Sequence, residues 1–247
     1  VTGVRRILGT GGYHDGERWM VATPVNRPAG CPLVVVCHGA GADGWHYTGA
    51  SERQRWINAL ARSGMVVIAA DLGSVVTPID GWGNDTAVAR VDEVIAWGAA
   101  EWSCDTARVF LIGDSAGGAT ALNWSRANPA RLAAAALRLG VTDIEGIYQD
   151  GAGNALLVAL IDEAYAGDWP AARATHDPAL NTAELAPLAD RLRFYYSEDD
   201  DLIPPADTIA TAAAIGCRAV SLGEVQHDPY ATWPDASVSA WLWSHVA

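Results

Sequence analysis

The sequence predicts an α/β fold: a mostly parallel central sheet with helices on both faces and a small helical insertion. Three observations predict it. Short apolar, β-branched runs such as Pro32-Leu33-Val34-Val35-Val36-Cys37 recur along the chain, as expected of strands buried on both faces. Stretches with helical spacing of apolar residues separate these runs, which implies crossovers between parallel strands. Polar punctuation falls just after the strand ends, the edge at which open α/β sheets bind ligands. The chain has 247 residues, 50% of them apolar and 18% charged, with no internal repeat or low-complexity linker. That composition suits one globular domain, 1–247.

Each element has its own signal. After the strand at 32–37, Ser51-Glu52-Arg53-Gln54 reads as a capping box opening a helix. That helix carries Trp56 and Leu60 on one face and stops at Gly64. A buried strand at 65–70 ends at Asp71. Val88, Val91, Ile95 and Trp102 mark a helix that starts at 84–86, beyond a loop through Gly81-Trp82-Gly83. Val109-Phe110-Leu111-Ile112 is the next strand, and 116–127 a helix. The segment 132–139 is rich in alanine, which suits a helix, but the spacing of its neighbours favours a strand. From 142 to 187 the rhythm breaks into short amphipathic pieces, read as an inserted helical cap. Strands at 192–196 and 219–222 follow, with a helix after Pro204-Pro205 and a last helix carrying Val238, Trp241 and Leu242.

The chemistry-bearing residues lie at strand ends. Gly113-Asp114-Ser115-Ala116-Gly117 fits G-x-S-x-G between a strand and a helix. A sharp turn there would hold Ser115 above the sheet as a nucleophile, with glycines letting the backbone close around it. The bland reading is a glycine-rich turn with Ser115 as a helix N-cap. His38-Gly39-Ala40-Gly41, after the 32–37 strand, can supply a backbone donor facing that turn. The expected oxyanion hole is the pair of N–H groups of Ala40 and Ala116. His38 itself reads as part of that loop's scaffold. A carboxylate and a base should follow the serine in the order Ser, Asp, His. Glu198-Asp199-Asp200-Asp201 follows the 192–196 strand, and His227 follows the last strand. His227 would take the Ser115 proton and return one to the leaving group, held by the carboxylate. His176 precedes the carboxylate cluster and His245 falls in the final helix, so neither suits that role as well.

From about Pro32 to its end the chain resembles the α/β-hydrolase superfamily. The resemblance rests on His38-Gly39-Ala40-Gly41, Gly113-Asp114-Ser115-Ala116-Gly117-Gly118, Asp200-Asp201-Leu202-Ile203-Pro204 and His227. It implies a serine hydrolase, lipase- or esterase-like, that cleaves a carboxylic ester and needs no cofactor or metal. The family's acid turn, G-x-x-D-x-x-[VI]-P, aligns on Ile203-Pro204 and puts the acid at Asp200. Ser197 stands where its glycine is usual, with Asp199 in reserve and Asp143 a remote third choice. Asp177-Pro178 and Leu185-Ala186-Pro187-Leu188 look similar to the segment leading from cap to core. The triple-glycine oxyanion loop of lipase-like members is absent.

Eleven tryptophans stand against two phenylalanines. Trp45, Trp82 and Trp233 fall in loops near the expected site, where an indole could stack on a sugar or hold an acyl chain. They suit a polysaccharide-linked or aromatic ester, whereas Trp56, Trp97, Trp102, Trp124 and Trp241 have packing explanations. All sixteen basic residues are arginine, which excludes chemistry on a lysine amine of the chain. A net charge of −13 without a basic run argues against nucleic acid and favours neutral substrates. No apolar stretch is long enough for a membrane span. The N-terminal residues lack a signal-peptide core, which is compatible with a soluble cytoplasmic, secreted or virion-associated protein. Gly9-Thr10-Gly11-Gly12 has no strand–helix frame for a dinucleotide. Cys31 and Cys37 are too far apart along one strand to bond, and Cys31 could meet Cys104 only across neighbouring strands. Two other readings compete: amide or peptide hydrolysis on the same residues, and a catalytically silent carbohydrate-, cell-wall- or virion-associated module.

Overall fold

A computed structural model describes residues 3–12, 17–49, 51–73, 81–150, 155–228 and 235–246. Among these, eight strands form one sheet in the order β1-β2-β4-β3-β5-β6-β7-β8. They are β1 Val4–Thr10, β2 Arg18–Pro24, β3 Cys31–Cys37, β4 Val66–Ala70, β5 Cys104–Asp114, β6 Leu132–Arg138, β7 Leu192–Tyr196 and β8 Arg218–Ser221. From β4 to β8 every pairing is parallel, while β1 and β2 form an antiparallel edge, β2 lying against β4. The pattern of apolar runs does not show this hairpin. β1 is a half-exposed edge strand with two arginines, so it lacks the apolar run that marks the inner strands.

The inner strands are buried along almost their whole length because helices cover both faces. Short α1 (His46–Gly49) leads into α2 (Ser51–Arg62). α2 packs Trp56, Ile57 and Leu60 on one face of the sheet, beside Val238 and Leu242 of the final helix. The other face carries α3 (Asp85–Trp102) and α4 (Gly117–Ala127), through Val91, Val94, Ile95, Leu122 and Trp124. Asn84 caps α3, its side chain accepting from the Ala87 amide at 2.9 Å. Gly64 ends α2 at φ 109°, as its position required. The side chains of 51–53, and with them the expected capping box, lie outside the described residues. The alanine-rich 132–138 segment is strand β6, as the neighbouring spacing indicated; it is fully sandwiched, where small residues let both helix layers approach.

Between β6 and β7 the chain runs through α5 (Ile144–Gln149), α6 (Ala155–Ala164), α7 (Trp169–His176) and α8 (Thr182–Leu185). α9 (Pro205–Ile215) joins β7 to β8, and α10 (Asp235–Trp243) is the last helix. Ile144, Ile147, Ile161 and Trp169 form a separate apolar cluster with Trp82, Ala116 and Ala119. This segment therefore lies over the carboxyl ends of the strands, where α4 begins.

Cys31 and Cys104 prove to be direct register partners on neighbouring strands, and all four cysteines are free thiols. Burial pushes the thiols of Cys37, Cys104 and Cys217 up to about 12. Native protein at pH 8 should therefore resist iodoacetamide at these three positions while urea-unfolded protein is fully alkylated. Peptide mass mapping showing equal labelling in both states would contradict this.

Candidate active site

Ser115 occupies a turn between β5 and α4 with φ 53°, a left-handed conformation uncommon outside glycine. Backbone bonds hold it there: its N–H donates to Arg138 O (3.2 Å), and its carbonyl accepts from Gly118 N and Val141 N (2.8 Å each). The flanking glycines are needed for space. A Cβ at Gly117 would lie 2.1 Å from Cys37 O, and one at Gly113 would lie 2.7 Å from Gly118 Cα. At Gly118 a Cβ would meet Gly140 Cα at 2.7 Å. The G-x-S-x-G-G string is thus the sequence form of a turn wedged between β3 and the β6 exit.

Three distant stretches meet at this turn. Ser115 Oγ is 2.9 Å from His227 Nε2, and His227 Nδ1 is 2.9 Å from Asp200 Oδ2. Asp200 is buried, and its other oxygen accepts from the amides of Leu202 (3.0 Å) and Ile203 (2.8 Å). An ionised carboxylate only accepts, so Nδ1 carries the hydrogen and Nε2 presents its lone pair to the Ser115 hydroxyl.

Asp199 has a different place. Its Oδ1 accepts from Ser197 Oγ (2.6 Å) and from the Gln226 amide (2.7 Å), and these bonds, the Ser197 hydroxyl foremost, hold its pKa below the usual carboxylate range. Ser197 also accepts from Val225 N at 3.0 Å. The pair ties the acid turn to the loop carrying His227, which accounts for a serine where a glycine was expected. Asp143 caps α5 through the Gly146 amide (2.7 Å) and takes no part in the cluster.

Gly39 passes so near the turn that a Cβ there would lie 2.9 Å from Ser115 Cβ. Ala40 follows it in the wall of the cleft over Ser115. Neither the Ala40 nor the Ala116 amide donates to a protein acceptor among the described residues. His38 Nε2 accepts from the Leu72 amide (3.0 Å), which puts its hydrogen on Nδ1, donated to Gly39 O at 2.9 Å. It is a scaffold residue, as its position suggested.

A buried ion pair beneath the turn was not foreseen. Arg138, 1% exposed, donates through Nε and Nη2 to the two oxygens of Asp114 at 3.0 and 2.6 Å. Tyr47 OH donates to the same carboxylate at 3.1 Å. Burial opposes the guanidinium charge, and the Asp114 carboxylate overrides it, raising the Arg138 pKa. An arginine closing an otherwise apolar strand was the available signal.

Of the expected tryptophan rim, Trp82 is buried and Trp45 is not among the residues lining the cleft. Trp82 is 1% exposed, packed in the apolar cluster of the β6–β7 segment, and its carbonyl accepts from Tyr165 OH at 2.8 Å. Its face is covered because the glycine loop folds inward under α6 and α7. Trp45 is 39% exposed but engaged on the β1 side, its N–H donating to Gly9 O (3.1 Å) with the Arg18 guanidinium 4.9 Å over the ring. Trp233 lies outside the described residues. The cleft, about 520 Å³, is lined instead by leucines together with Ser115 and His227. Among the described residues no group of three His, Cys, Asp or Glu is placed to hold a metal, and no helix is long and apolar enough to cross a membrane.

No family model and no curated protein matches the sequence. Solved structures do match in fold. An S-formylglutathione hydrolase from Staphylococcus aureus is 18% identical, covering 100% of this chain and 98% of its own, with a TM-score of 0.69. A fluorophosphonate-binding serine hydrolase from the same organism is 15% identical over 100% and 99%, TM-score 0.72. Esterase B from Lactobacillus rhamnosis is 15% identical over 98% and 87%, TM-score 0.72.

Two predictions come from the charges around this site. Asp114→Asn leaves Arg138 buried without its countercharge and should lower stability by about 3 kcal/mol, roughly 6–12 °C in Tm. A Tm within 2 °C of wild type would contradict that. Asp177, fully buried, accepts from the amides of Ile144, Glu145 and Ala179, and burial pushes its pKa up to about 6. The fold therefore favours its neutral form, a contribution present below the ordinary carboxylate pKa and lost as pH rises through about 6. The Tm of wild type minus that of Asp177→Asn should fall between pH 4 and 6.5 and level off above; a difference that stays constant or rises would refute it.

Proposed function

We propose that this chain, built on the α/β-hydrolase fold, is a serine hydrolase that cleaves a carboxylic ester through an acyl-enzyme on Ser115. The observation that carries the reading is the continuous hydrogen-bonded line from Ser115 through His227 to Asp200. In the first step His227 Nε2 takes the hydroxyl proton as Ser115 Oγ attacks the ester carbon. The imidazolium returns that proton to the departing alcohol. Water then attacks the acyl-serine, again losing a proton to His227, and releases the acid and free serine. Asp200 fixes the tautomer and stabilises the imidazolium. The amides of Ala40 and Ala116 donate to the developing oxyanion, supported by their lack of acceptors among the described residues and by the close approach of Gly39 to Ser115. The α5–α8 segment, 142–187, acts as a cap over the one domain. Small-molecule esters are the partners this reading requires; neither nucleic acid nor a cofactor enters it.

A short-chain nitrophenyl ester assay tests the proposal. Wild type should turn over, and Ser115→Ala or His227→Ala should lose about a millionfold in kcat, since such groups act as a unit. Asp200→Asn should lose far more activity than Asp199→Asn. Equal rates for wild type and Ser115→Ala, or no rate and no fluorophosphonate labelling, would point to a silent binding module. Loss confined to Asp199→Asn would reassign the acid.

A further inference from the structure

The proposed reaction leaves the acyl group open, and the cleft narrows it. Leu139, Leu156, Leu157, Leu160 and Leu202 line the space over Ser115, with Glu163 as a charged member of the same wall. Leu156, Leu157, Leu160 and Glu163 stand at i, i+1, i+4 and i+7 of α6, and so share one helical face. α6 spends its fully buried position, Ile161, on the protein. Leu157 and Leu160 lie on the same stripe as Ile161 and pack partly buried against that apolar cluster, while Leu156 on its flank is 69% exposed. Isolated exposed leucines are ordinary, but a leucine face contiguous with a reactive serine is a surface to be covered by what the serine reacts with.

Two further observations define the occupant. The seven helical rises from Leu156 to Glu163 span roughly 10 Å. An extended hydrocarbon of about eight carbons has that length, at roughly 1.3 Å per bond from ordinary bond lengths and angles. The Glu163 carboxylate is exposed and makes no ion pair or hydrogen bond among the described residues, on a chain of net charge −13. A chain bearing its own carboxylate would meet like charge there. We propose that the cleft is an acyl site for a neutral, medium-chain hydrocarbon of about eight carbons, selected by the leucine face of α6, with Glu163 rejecting anionic chains. This rests on the ester hydrolysis proposed above.

The test compares kcat/KM for nitrophenyl acetate, nitrophenyl octanoate and the nitrophenyl half-ester of suberic acid. Octanoate should exceed acetate by about tenfold or more, since added methylenes are buried. Leu156→Ser with Leu160→Ser, both at positions not fully buried, should cut the octanoate-to-acetate ratio by about tenfold. Glu163→Gln should raise the suberate half-ester relative to octanoate. Acetate and octanoate used alike, with ratios untouched by the leucine changes, would overturn the assignment while hydrolysis stands. Calorimetric binding of the octanoate ester to Ser115→Ala separates the two claims. If wild type hydrolysed nothing, leucine-dependent binding would uphold the acyl site and remove the reaction, whereas absent binding would remove the site.

Discussion

The left-handed turn at Ser115 is the constraint on which the rest of the structure depends. A non-glycine residue at φ 53° costs on the order of 1–3 kcal/mol and persists only where its surroundings enforce it. Here they do: Arg138, Gly118 and Val141 bind its backbone, and Gly117 packs against the carbonyl of Cys37. The packing that fixes the turn also brings β3's exit loop against it. Gly39 can approach Ser115 because it has no Cβ of its own; one there would lie 2.9 Å from Ser115 Cβ. Strand order, glycine placement and donor position are one geometric fact expressed three times.

The charges divide by depth. Asp114 and Arg138 neutralise each other under the turn, where a lone charge would be costly. Asp200 keeps one oxygen for two backbone amides and the other for His227, an arrangement that orients the imidazole from behind. Asp199, one residue earlier, spends its acceptor capacity on Ser197 and Gln226, tying together the two loops that must stay in register. Adjacent aspartates thus hold separate posts because alternate side chains of one turn face different neighbours.

The inner strands and the residues of the cluster were legible in the sequence, and for stated reasons. Strands buried on both faces must be apolar throughout, and a nucleophile turn must be flanked by glycine. Asp200 was placed by its distance from Ile203-Pro204, a spacing the backbone amides of Leu202 and Ile203 now explain. The β1–β2 hairpin was not legible, because an edge strand with one open side needs no continuous apolar run. Trp82 was misread since an indole beside glycines looks like an exposed loop residue. Only the packing of α6 and α7 over that loop reveals that it is covered. Nor does sequence alone show that Leu157 and Leu160 of α6 both pack against the apolar cluster and line the cleft.

The proposed reaction turns on one oxygen atom, Ser115 Oγ, which would become covalently bonded to the acyl group during turnover. Acid-quenched mass spectrometry of protein mixed with a nitrophenyl ester measures this directly. A mass increase equal to the acyl group is expected within the first turnover on the peptide containing Ser115. Steady turnover with no acylated peptide, or the acyl mass on another residue, would contradict it.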